Sequence, residues 1–304
     1  MIVGAMPDPE IRVRPATPGD VPTIYRLAAA HDVHLEGPDG LGQPYLDRLF
    51  GDGTVLVAER RGEVVGFAAA ARLRPAAGSA VPARSHVSDL FVDPSELGSG
   101  VGGPLYRALL EAHVDERWTV SSSGDARAQA LYTRGGMIPV WPLYYLQRPR
   151  TSWDRPLPPT PGAVVRRIEV PDLVDAFATL TGLDRTLDIR TWSLRRGGTP
   201  IAVELDGRLA LAGCVRDGAT SLVRWIDAAA IASDADPVVA LLAALASDLV
   251  ARADGSVGLC LGGPHPALRT LLEAGFRILD HDTWCETPIG LLDPVRTVPD
   301  PSLG

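Results

Sequence analysis

LFVDPSELGSGVGGPLYRALLEAH, residues 90–113, decides how the rest of the chain is read. A short apolar run meets Pro94, four glycines fall within residues 98–103, and a helical pattern begins with Leu105, Leu109 and Leu110 on one face. Glycine loses more conformational freedom on folding than any other residue. A crowd of glycines at a strand-to-helix corner therefore marks a place where side chains would be in the way. The first N–H groups of a helix have no partner inside it, and the helix dipole adds partial positive charge, so such a corner suits an anion. All 29 basic residues are arginine. Without lysine there is no Schiff base and no phosphate-gripping ammonium, so backbone amides and arginine must hold any phosphate.

Two ligand classes fit the corner. GSGVGG matches G-x-G-x-x-G through Gly98, Gly100 and Gly103, a dinucleotide fingerprint, and Asp115 stands near the spacing of a ribose-binding acid. That fingerprint belongs directly after a strand in a βαβ unit. Here DPSEL intervenes, and the elements before it read as a meander. The other class is coenzyme A.

The chain around the corner supplies the context. IRVRPA reads as a strand, and Asp20 is placed to cap a helix over VPTIYRLAAAHDV. GTVLVAERRGEVVGFAAAARL reads as a hairpin turning at Arg60–Gly62, HVSDLFV as a strand, WTVSSS as a strand, DARAQALYTRGG as a helix stopped by glycine, and WPLYYLQ as a strand. Residues 147–162, QRPRTSWDRPLPPTPG, hold five prolines and read as an extended linker. The same order of elements then repeats over about 150 residues, a tandem duplication. The expected organisation is a unit over residues 10–147, a linker over 148–162, a second unit over 163–290 and a tail over 291–304.

At these residues the sequence resembles the GNAT acetyltransferase superfamily. Its central motif, Q/R-x-x-G-x-G/A after a strand ending V-x-P, corresponds here to Val92, Pro94 and Leu97-Gly98-Ser99-Gly100-Val101-Gly102. Leu97 replaces the usual Gln or Arg, which removes one polar contact and leaves the backbone cradle. D-x-x-A-x-x-L-Y, from Asp125 through Ala128 to Tyr132, with Gly136 behind it, is similar to the family's N-x-x-A-x-x-L-Y helix. The resemblance implies an α/β fold with a mixed sheet (α+β), here as two tandem GNAT-like domains. It implies acetyl-CoA as co-substrate, its pyrophosphate on the amides of Gly98, Ser99, Gly100, Val101, Gly102 and Gly103, its pantetheine along Leu90, Phe91 and Val92, and Asp125 nearby.

Acetyl transfer from a thioester to an amine needs a neutral amine, a donor for the oxyanion and a proton for the leaving thiolate. The resemblance assigns the oxyanion donor to the Val92 amide and the proton to Tyr132. Some family members carry a base eleven residues before the first motif position, which is His86 here. Asp89 is a rival; strict alternation along the strand puts it on the face opposite His86. HDVH at His31–His34 lacks the further ligands of a metal site, so no metal is expected. Glu36–Gln43 is expected to lie over the acceptor, and Trp141, Tyr144 and Tyr145 either line that pocket or pack a strand.

The second unit keeps the pattern and loses the chemistry. IDAAAIASDADP has no G-x-G, and Leu271 stands where Tyr would be, five residues before Phe276. It reads as a degenerate copy that shapes the acceptor pocket, forms a homodimer contact or stabilises the first unit. The net charge of −8 argues against nucleic-acid binding. The three cysteines are too few and scattered for a disulfide framework. Neither a signal peptide nor a membrane span is apparent, so a cytoplasmic enzyme is expected, acetylating a small-molecule primary amine. A non-catalytic acyl-CoA sensor and a dinucleotide-binding oxidoreductase remain as alternatives.

Overall fold

A computed structural model describes residues 11–33, 42–113, 117–149, 155–195, 197–217, 223–246 and 256–304. Asp115, His34 and most of the Glu36–Gln43 segment lie outside them. Among the described residues no helix is long and apolar enough to cross a membrane.

The first half runs β1 (Arg12–Pro15), α1 (Val21–Ala29), α2 (Gly42–Asp52), β2 (Thr54–Arg60), β3 (Glu63–Pro75), β4 (Arg84–Val92), α3 (Gly102–Glu111), β5 (Trp118–Ser122), α4 (Ala126–Arg134) and β6 (Ile138–Arg148). The second half runs β7 (Ala163–Arg167), α5 (Val170–Thr181), β8 (Leu183–Asp184), α6 (Thr186–Arg190), β9 (Gly198–Leu205), β10 (Arg208–Asp217), β11 (Val223–Ile231), α7 (Pro237–Ala246), β12 (Ser256–Gly262), α8 (Ala267–Glu273), β13 (Arg277–Thr287) and β14 (Thr297–Val298). Asp20 does not cap α1 with its side chain. Its carboxylate instead takes Arg14 and the Thr17 backbone and hydroxyl.

One sheet carries both halves, in the order β1-β2-β3-β4-β5-β13-β6-β12-β11-β10-β9-β7. The last strands are exchanged. β13, from the second half, pairs antiparallel with β5 of the first, with Trp284 opposite Ser121. β6, from the first half, pairs antiparallel with β12 of the second, with Tyr145 opposite Cys260. β6 and β13 pair with each other at the centre.

Each half has a private core on one face: Leu105, Leu109, Val120 and Tyr132 under α3 and α4, and Leu241, Leu245, Leu259 and Leu271 under α7 and α8. The opposite faces share a single core, in which Ile24, Leu49 and Phe67 meet Leu173, Phe177, Trp192 and Cys214. The proline-rich segment therefore joins two halves that are sewn through the sheet and packed on a common face. The tail is part of this fold as well. β14 pairs with β11, and residues beyond it reach back to β4, where Asp300 accepts from the Trp192 indole at 2.9 Å and the Pro301 carbonyl meets His86 at 3.0 Å.

Candidate active site

The glycine corner is held from behind. Arg60 on β2 reaches across to the Glu96 carboxylate at 2.5 Å and to the Ser99 carbonyl at 3.0 Å. Gly98 and Gly100 sit at φ +80° and +90°, a conformation that L side chains rarely adopt. Gly103 needs no special φ; a Cβ there would meet no atom within 4 Å, so the space in front of it is open. The helix that follows, α3, begins at Val101 without a side-chain cap. Among the described residues no carboxylate or hydroxyl satisfies its first N–H groups, which thus face outward.

Beside this corner the sheet parts. β4 and β5 run parallel only from Ser85–Trp118 to Val87–Val120 and then diverge. Asp93 donates its N–H to Val65 at 2.8 Å, which makes 91 and 93 the positions bonded to β3. By the alternation of an antiparallel pair, the N–H and C=O of Leu90 and Val92 point away from β3 into the gap. The gap and the corner form one cavity of about 530 Å³. Leu90, Phe91, Val92, Gly98, Gly100, Val101, Gly102, Gly103 and Asp125 all line it. Ser99 does not; its hydroxyl turns back onto Glu96. Asp125 caps α4, accepting from the Arg127 N–H at 2.8 Å and pairing with the Arg127 guanidinium at 2.8 Å. Arg127 and Arg134 give this wall its cations.

His31 also lines the cavity, a residue that sequence reasoning weighed only as a metal ligand. Its Nε2 donates to the Val92 carbonyl at 2.8 Å, and its ring lies 5.3 Å from Phe91. It braces the strand end at which the oxyanion donor is expected.

Tyr132 is buried under α3, edge-on to Tyr106 at 5.3 Å. Its hydroxyl hydrogen-bonds to none of the described residues. Burial pushes that hydroxyl well above the ordinary phenol range, with smaller contributions in the same direction from Tyr106, Asp89, Cys285 and Asp282. At neutral pH the proton stays on.

His86 is in a different place from the one expected of a base. Its ring is fully buried and stacked on Trp284, 5.4 Å away. Nε2 faces the Pro301 carbonyl at 3.0 Å, and a carbonyl only accepts, so Nε2 carries the proton. Nδ1 must then accept from the Thr119 hydroxyl at 2.9 Å, leaving no lone pair free. Burial lowers the ring to about 4. His86 is a clamp for the tail.

Asp89, the rival candidate, sits in different surroundings. The ladder slips between Ala69–Asp89 and Ala70–Val87, making Ser88 an extra bulge residue. The bulge breaks the alternation, so Asp89 shares the face of His86 instead of opposing it. Asp89 is buried, accepts from the Tyr45 hydroxyl at 2.6 Å, and burial raises it to about 6, close to where a general base works best. Across the gap, Asp282 on β13 accepts from Ser121 and Tyr145, both at 2.7 Å. Of the three aromatics of β6, Tyr145 reaches Asp282, while Trp141 stacks face to face on Trp284 at 5.1 Å.

In the second half the corresponding strand and helix start are covered. β14 pairs with β11 at Ala229 and Ala230, alongside the stretch where β11 leaves β12. The N-terminus of α7 is closed by the Asp236 carboxylate, which accepts from Val238 and Val239 at 2.8 and 3.2 Å.

Comparison with known proteins agrees with this layout. Residues 24–137 match the model of the Acetyltransferase (GNAT) family. Among curated protein sequences there is no match. A putative acetyltransferase from Pyrococcus horikoshii superposes with a TM-score of 0.67 at 18% identity, covering 97% of this chain and 93% of that one. A tandem GNAT protein from the clavulanic acid biosynthesis pathway superposes with a TM-score of 0.58 at 17% identity, covering 91% and 98%. A glucosamine N-acetyltransferase region of a fungal multi-domain β-N-acetylglucosaminidase gives 0.66 at 14% identity, covering 91% and 38%.

Proposed function

Through residues 24–137 this chain belongs to the GNAT acetyltransferase family, and on that premise we propose that its first half transfers an acetyl group from acetyl-CoA to the primary amine of a small cationic molecule. The observation that carries the reading is the uncapped start of α3, facing a glycine loop and a parted β4–β5 pair in one cavity. Those donors suit a diphosphate, and the main-chain groups of Leu90 and the Val92 N–H, directed into the gap, suit an amide-bearing arm. The first half offers only the short β4–β5 parallel pairing, which favours this carrier over a dinucleotide.

In the reaction the amine nitrogen forms the new C–N bond as the C–S bond breaks. The amine loses one proton and the thiolate gains one. Asp89 accepts the first, directly or through water, and Tyr132 donates the second. The Val92 N–H is directed into the gap where charge develops on the carbonyl oxygen. Asp89 and Asp282 flank the site with negative charge, which favours an acceptor bearing a cationic group.

The test is thiol release from acetyl-CoA with a panel of small amines. Turnover is expected, falling about 10²- to 10⁴-fold in Tyr132→Phe while acetyl-CoA still binds. Carrier binding without turnover on any amine would favour the sensor, and binding of NAD in its place would favour the oxidoreductase.

A further inference from the structure

At the amino end of β4, away from Leu90–Val92, a cavity of about 440 Å³ lies where the two halves and the tail meet. Phe177, Leu180 and Leu183 supply apolar wall, and Arg84, Arg185 and Arg296 supply charge. The three arginines differ in what neutralises them. Arg185 pairs with Asp188 at 2.8 Å and donates to main-chain oxygens of Leu303 and Gly304. Arg296 donates to the carbonyls of Ala232 and Ala235, and among the described residues no carboxylate pairs with it. Arg84 donates through Nη1 to the Leu291 carbonyl and also has no ion pair among the described residues. Its Nε is buried with no hydrogen-bond partner.

The acids nearby are committed elsewhere. Glu286 takes the Trp284 indole on Oε1, at 2.9 Å, together with the Leu292 N–H, and it takes the N–H groups of Gly290 and Leu291 on Oε2. Asp293, an acidic side chain on the cavity wall, accepts from the Val295 N–H. Burial, with the charge of Arg185 behind it, lowers Arg84 to about 10. An unpaired guanidinium set against a cavity is costly unless an anion joins it.

We propose that this cavity binds a small organic carboxylate with an apolar body, its carboxylate seated on the Arg84 guanidinium where it lines the cavity and its body against Phe177 and Leu180. A guanidinium edge offers two parallel donors to a planar carboxylate, and Arg296 adds a second positive charge. The site is separate from the acetyl-CoA cavity, which shares none of its lining residues.

The full chain is titrated calorimetrically with hexanoate, benzoate, hexanamide and inorganic phosphate, with and without saturating acetyl-CoA. The carboxylates are expected to bind, with hexanamide and phosphate far weaker, and acetyl-CoA is expected to leave their affinity unchanged. Arg84→Met is expected to weaken carboxylate binding about 10- to 100-fold. The same variant, relieved of an unpaired buried charge, is expected to melt no lower than the parent without ligand. Hexanamide binding as well as hexanoate, phosphate binding better than either carboxylate, competition by acetyl-CoA, or full carboxylate affinity in Arg84→Met would each overturn the proposal. Were Arg84→Met to melt markedly lower, Arg84 would be a structural residue and the proposal would fall on that ground too.

Discussion

Two helices in this chain start after equivalent strands, and their first turns are finished in opposite ways. α3 follows β4 with no cap, bare glycines and an open gap beside the strand. α7 follows β11 with Asp236 on its first N–H groups and β14 laid along the strand. In the second half the chain supplies from itself what the first half leaves for a ligand: a carboxylate where an anion would sit, and a strand where an extended arm would pair. The second half is thus closed by one carboxylate and one short strand. What distinguishes the halves is which donors remain unmet.

The strongest way to break this comparison is to close the first half. Gly100→Asp puts a side chain at φ +90° and a negative charge in the corner. Acetyl-CoA affinity is expected to fall at least about 100-fold, from combined backbone strain and charge repulsion. Calorimetry of the parent chain is expected to give one carrier per chain. Two carriers per chain would show that β14 does not close the second half.

The next effect separates Asp89 from His86. In the proposed mechanism the basic form of Asp89 is the active one, so kcat/KM is expected to fall as pH drops through about 6, the position burial gives it. Asp89→Asn should cost about 10²-fold or more and remove that limb. His86→Gln should keep the limb, because His86 is neutral well above about 4. Stability moves the other way. A carboxylate raised by folding contributes most when protonated, and that contribution is lost as pH rises from the unfolded value, near 4, through about 6. Persistence of the limb in Asp89→Asn would remove Asp89 from the base position.

The sequence made the corner legible because its determinants are local. Gly98 and Gly100 need positive φ, Gly103 needs open space, and Tyr132 keeps a fixed spacing from Asp125 along one helix. The repeat of elements was legible for the same reason, since each rests on its own periodicity. His86 was misread because two distant events decide its surroundings. One is the bulge at Ser88, which rotates Asp89 onto its face; the other is the tail, whose Pro301 and Gly304 pack against its ring. The exchange of β6 and β13 left no local mark either. An alternating strand reads the same whichever neighbour it pairs with, so Asp282 of the second half could not be placed beside Ser121 of the first from pattern alone.

The smallest effect tests which of the two closures matters. Asp236→Ala removes the α7 cap and leaves β14 in place. Loss of such a cap costs about 1 kcal/mol, which in a chain of this size lowers the melting temperature by a few degrees at most. Carrier stoichiometry is expected to stay at one, because an unmet helix start is of no use to a carrier whose arm finds its strand already paired. A second carrier bound by Asp236→Ala would assign the closure to the carboxylate alone. In that event β14 would be displaced on binding, and the pairing of Val298 with Ala229 would be the contact to weaken next.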